Sequence, residues 1–85
     1  MTSDQIEKFI ELQKRKDLRI NIHFKERQTV SGMFIRGNDY SELKSKNLWR
    51  VVSSINVKQF KLNQDMNLTR IFNGISFTRL SEDNN

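Results

Sequence analysis

The sequence predicts a mainly β chain of the α+β class: an N-terminal helix, then a small, strongly bent, five-stranded antiparallel barrel. Three observations lead there. The apolar period changes from helical to strict alternation near residue 17. Four further short apolar runs follow, bounded by polar turns. A glycine, Gly32, stands in the middle of the second run, where a small barrel needs a bulge or a sharp bend to curl its sheet.

Residues 1–16 supply the helix. Thr2 is placed to cap it, with Gln5 reaching back from the third helical position. Asp4 and Glu7 sit in its first turn and Lys14, Arg15 and Lys16 in its last, as the helix dipole favours. Ile6, Phe9 and Ile10 share one narrow apolar face, which should lie across the open end or side of something larger.

The barrel occupies residues 17–80. In "DLRINIHFK", Leu18, Ile20, Ile22 and Phe24 alternate with Arg19, Asn21, His23 and Lys25. "KERQ" is a polar turn. "TVSGMFIRG" is the second strand, with Val30 and Phe34 on one side and Met33 and Ile35 on the other. "NDYSELKSKN" reads as a polar loop, and "LWRVV" as a third strand buried on most of its surface. In "SSINVKQFKLNQDMN", Asn56 followed by Gln59 opens a short helix with Val57 and Phe60 inward, although Phe60, Lys61 and Leu62 also alternate as a strand would. "LTRIFN" and "ISFTRL" are the last two strands, and residues 81–85 a frayed tail.

Composition narrows the function classes. Eighty-five residues make a single domain whose core is thin, since such a chain buries only about 60–65% of its unfolded surface. There is no Cys to add disulfides or thiolate metal sites, and no Pro. No apolar run approaches a membrane span, and the first residues lack the layout of a signal peptide, so a cytoplasmic location is the default expectation. The net charge is +5, but residues 1–13 carry −2 and residues 81–85 another −2. The segment between therefore carries +9 (14 basic residues against five acidic), a field that attracts polyanions.

Catalytic and metal chemistry find no constellation. His23 is the only His, on the polar face of the first strand, with no second His, no Cys and no carboxylate cluster beside it. Gly32, Gly37 and Gly74 have the wrong spacing for a dinucleotide fingerprint. The expectation is a non-enzymatic chain with no cofactor, no metal and no membrane partner. Trp49, between Leu48 and Arg50, reads as core rather than as a binding platform.

The order of elements resembles the Sm-like (Hfq-like) family in two places. "SGMFIRGND", Ser31 to Asp39, looks like its first motif, where a strand glycine precedes an acidic residue at the strand end. "RIFNGISFTRL", Arg70 to Leu80, looks like its second, where apolar residues lead into a polar-Gly corner and a last strand. "YSELKSKN" stands as an insertion, and the stretch from Val52 to Leu68 is longer than the family's usual connection. The chain also resembles a group of small uncharacterised bacterial proteins sharing an NLWRVV…NL-x-RIFNG pattern.

That resemblance implies a self-associating nucleic-acid-binding module, with single-stranded RNA as ligand. It implies that Asn38, Asp39 and Tyr40 form a base-reading loop, that Asn73 and Gly74 contribute contacts beside it, and that Lys14, Arg36 and Arg70 neutralise phosphates. Two points stay open. Tyr40 either stacks on a base or anchors its loop against the core with its hydroxyl in water. Asn73-Gly74 is either a tight hairpin, pairing Phe72 with Ile75, or a corner between strands that do not pair. A protein-interaction or assembly module on the same barrel is the alternative function.

Overall fold

The structure of the chain is a computed structural model that describes residues 1–12 and 19–82. Its first element, α1, runs Ser3–Leu12. The predicted capping box forms in both directions. Thr2 Oγ1 accepts from the Gln5 amide at 3.2 Å, and Gln5 Oε1 accepts from the Thr2 amide at 3.0 Å. The predicted continuation through residue 16, with its basic last turn, falls outside the described residues.

Five strands follow: β1 (Ile20–Phe24), β2 (Val30–Phe34), β3 (Leu48–Ser53), β4 (Thr69–Asn73) and β5 (Phe77–Glu82). They form one antiparallel sheet in the order β4-β3-β2-β1-β5. The hydrogen-bonded order has two ends, β4 and β5, so the sheet is not closed into the predicted barrel.

It is nevertheless strongly curved. In a flat sheet β1 and β4 would lie three strand spacings apart, about 14 Å. Here Phe24 of β1 and Phe72 of β4 bring their ring centroids to 5.7 Å across the concave face. Gly32 is where the strands crowd. A Cβ there would press on the Val52 carbonyl oxygen and come within 2.8 Å of Val51 Cγ1, so only glycine fits without a shift. The ladder irregularity itself lies elsewhere, between His23 and Phe24 where β1 pairs with β5.

Alternation sorts the apolar residues onto two faces. The concave face gathers Ile20, Ile22, Trp49, Val51, Phe77 and Leu80, and α1 covers it by inserting Ile6, which has no exposed surface. Full burial of an Ile contributes about 1.5–3 kcal/mol. Phe9 and Ile10 pack beside it, as the helical period predicts. The convex face carries Met33 and Val52, covered by α3 (Val57–Asn63) through Val57 and Phe60. The helical alternative for that segment is therefore the one adopted, although the Asn56 side chain makes no capping bond.

Three local expectations are corrected. The "NDYSELKSKN" segment is not all loop, because α2 occupies Tyr40–Ser45. Its half-buried residues Tyr40, Leu43 and Lys44 follow the i, i+3, i+4 spacing of a helix face, and Asn47 stops the chain beyond it at φ 59°. Ser81 and Glu82 belong to β5, paired with Asn21 and Ile20, rather than to a frayed tail. Ile75 lies outside β5, in a single 3-10 turn at Gly74–Ser76.

That turn resolves the hairpin question. Phe72 pairs with Trp49 and Arg70 with Val51, both on β3, while β5 pairs with β1. Asn73-Gly74 is a corner between two strands that do not pair. The dipeptide suits a tight turn, but the partners already available to each strand on β3 and β1 decide otherwise.

Candidate functional site

The corner is fixed from within. Asn73 Oδ1 accepts from the Ile75 amide at 3.0 Å and so caps the 3-10 turn. Gly74 is buried: its amide donates to the Asn47 carbonyl at 2.8 Å, and its own carbonyl accepts from the Met1 ammonium at 2.8 Å. A Cβ on Gly74 would collide with Asn47 Oδ1 and Ile6 Cδ1. Asn47 ties this region together, since its Oδ1 also accepts from Trp49 Nε1 at 2.8 Å and its Nδ2 donates to the Met1 carbonyl at 2.9 Å. Trp49 is 1% exposed, a core residue as predicted.

The Asn38–Tyr40 segment lies elsewhere. Asn38 is exposed. Asp39 is engaged, its Oδ2 accepting from Arg50 Nη2 at 2.7 Å, while Arg50 Nη1 donates to Thr69 Oγ1 at 3.2 Å. This places Asp39 by the Thr69 end of β4. Asn73 stands at the other end of that strand, about 13 Å further on at 3.3 Å per residue. The two predicted contact groups thus sit at opposite ends of α2, and Asn47 rather than Tyr40 meets the corner.

Tyr40 is half-buried and sets its ring edge-on to Trp49 at 6.0 Å, so the anchoring reading describes its place in the fold. Two cations flank the ring: the Arg36 guanidinium at 5.4 Å and Lys44 Nζ at 5.9 Å from the centroid. Lys44 also pairs with Glu7, joining α2 to α1. Burial raises the Tyr40 hydroxyl pKa above its ordinary value, with Arg36 opposing. The hydrogen bond to Glu7 raises that of the Lys44 ammonium.

Of the remaining predicted residues, Arg36 and Arg70 are exposed, and Lys14 lies outside the described residues. His23 of β1 links β5 and the turn before β2 rather than standing free in solvent. Its Nε2 lies 3.0 Å from Ser81 Oγ and its Nδ1 3.3 Å from Thr29 Oγ1.

Arg70 borders a feature the sequence did not announce. A groove of about 360 Å³ opens beside β4, floored by Val30, Val51 and Leu68. Arg27, from the β1–β2 turn, closes one side. Its guanidinium carbon lies 5.0 Å from the Phe24 centroid and 5.5 Å from that of Phe72. Arg70, Ser53, Asn56 and the exposed Ile55 complete the rim. Nothing local in "KERQ" marks Arg27 as a site residue, because sheet curvature alone carries that turn across to β4. Phe72 was legible only as an apolar residue beside Asn-Gly.

No family model, no curated protein and no solved structure matches this chain. No helix among the described residues is long and apolar enough to cross a membrane. The class of protein defined by fold and site is a small α+β chain built on an open, curved antiparallel sheet, with a helix on each face and a basic groove beside one edge strand.

Proposed function

We propose that the chain is an Sm-like, non-enzymatic nucleic-acid-binding module that takes single-stranded RNA and self-associates. The observation that carries this reading is the corner at Gly74–Ser76, which sends β5 across to pair with β1 while β4 stays on β3. That is the arrangement the Sm-like resemblance implies for the "RIFNGISFTRL" motif. The added lengths it singled out are taken up by α2 and α3, which leave the five-strand order intact. The charge supports it as well, with +9 between residues 14 and 80.

On this reading Asn38, Arg36 and Arg70 are the exposed members of the RNA contact set, with Asn73 beside the corner. Asp39 and Tyr40 shape the loop through Arg50 and Trp49. The measurement is fluorescence anisotropy of a labelled single-stranded RNA. Binding should appear at micromolar protein in low salt and weaken steeply with added salt, because phosphate contacts release counterions. An unchanged anisotropy at low salt rules the RNA role out. The competing assembly role draws on the exposed Ile55, Leu62 and Ile75, which offer apolar surface to a protein partner.

A further inference from the structure

We propose that the groove between the β1–β2 turn and β4 is a binding pocket for one nucleotide unit, with its phosphate held between Arg27 and Arg70 and its base on the apolar floor. Its relevance to RNA rests on the nucleic-acid reading above, but binding of a free nucleotide stands or falls separately.

Among the described residues the ion pairs are Lys44–Glu7, Lys46–Glu42 and Arg50–Asp39. Neither Arg27 nor Arg70 is in one, and both are exposed at the rim of the same groove. Two guanidiniums without a carboxylate partner among the described residues, at the mouth of an apolar cleft in a chain of net charge +5, call for an anion. The planar fork of Arg matches phosphate oxygens in pairs.

Shape and polarity narrow the anion to one with a flat organic body. The groove's volume of about 360 Å³ is far more than a bare phosphate fills and falls within the usual range for small-molecule sites. Its lining is aliphatic through Val30, Val51, Ile55 and Leu68, with the flat Phe72 ring as a wall and the Arg27 guanidinium carbon 5.5 Å from that ring's centroid. Such surfaces accept a base by stacking and van der Waals contact. Ser53 and Asn56 stand on the rim with a hydroxyl and an amide, groups that hydrogen-bond to base edges. An acidic peptide would satisfy the arginines but would leave the flat wall and those rim groups without a matching partner.

Arg27 is also held ready. Its position over Phe24 and Phe72 fixes the guanidinium against two rings, so less side-chain freedom is lost when a phosphate arrives.

The test is titration of the full chain, followed by ¹H–¹⁵N correlation spectra, with uridine and adenosine 5′-monophosphates, uridine, inorganic phosphate and a short poly-glutamate peptide as separate probes. A mononucleotide should perturb the amides of Arg27, Ser53, Asn56 and Arg70, and bind more tightly than uridine or phosphate alone. The double variant R27Q/R70Q should weaken that binding by about tenfold or more, since it removes both charge-assisted forks. Its spectrum without ligand reports whether it is folded. If it is not, the single variant R70Q, on an exposed edge-strand position, should weaken binding in the same direction. Equal affinity for phosphate and mononucleotide overturns the proposal, as does preference for the peptide, or perturbation confined to Asn38–Tyr40. RNA bound equally well by the parent chain and R27Q/R70Q overturns the groove as an RNA site, and with it Arg70 as an RNA phosphate contact, and leaves the rest of the RNA reading standing. Mononucleotide in the groove with no RNA affinity does the reverse.

Discussion

Gly74 and Asn73 are neighbours with opposite duties. Asn73 is exposed and caps a turn, while Gly74 is buried against Ile6 and Asn47. Gly74→Ala must displace both the tip of Ile6 and the Asn47 side chain, and Asn47 in turn holds Trp49 and Met1. Overpacking of this kind destabilises by about 1–3 kcal/mol. Asn73→Ala loses one capping bond, about 1 kcal/mol. Urea denaturation followed by Trp49 fluorescence should rank G74A below N73A. The reverse ranking would mean that the corner is held by its cap and not by the close approach of α1.

At the scale of elements, α1 and α2 are joined by the Lys44–Glu7 pair and by the packing of Tyr40 on Trp49. Both titrating groups are raised from their ordinary values, 10.0 for Tyr40 and 10.5 for Lys44. In each case the folded chain keeps its proton to higher pH than the unfolded chain does. The contribution is therefore complete below about pH 10 and is lost as pH rises through the folded values, because the unfolded state then binds fewer protons. Stability measured by chemical denaturation should fall from about pH 10 upward. Tyr40→Phe removes one of the two ionisations and should flatten that fall, and identical slopes for the two proteins would show that Tyr40 is not linked to folding.

At the scale of the whole molecule, the open ends of the sheet carry the consequence. β4 and β5 each leave one side of the strand without a ladder partner among the described residues, and neither contains Pro or Lys. Arg70 and Arg79 add some charge, a light protection for edges that invite pairing. On the proposed reading, β4 of one copy lies against β5 of the next, a head-to-tail contact that closes into a ring if the rotation closes. Light scattering should then give a mass that is a multiple of 10.2 kDa at micromolar concentration. A mass of one chain at every concentration would exclude the ring.

The local pieces follow from short-range pattern, because each depends on neighbours in the chain. The Thr2–Gln5 box needs three residues of spacing, the sides of β1 and β2 follow from alternation, and the inward turn of Val57 and Phe60 follows from helical period. Gly32 was legible as a constraint on the second strand, though as a bulge or bend rather than as the close strand approach it is. The short helix α2 was missed because its three inward residues lie in a polar segment. The corner, the open sheet and the groove depend instead on long-range strand pairing and packing. Asn-Gly favours a hairpin locally, but β4 and β5 already have ladders on opposite sides of the sheet. The pocket was likewise beyond the sequence, since Arg27 and Arg70 come to line one groove only when the sheet curls enough to set Phe24 against Phe72, and that curvature is a property of four strands packed together rather than of any one.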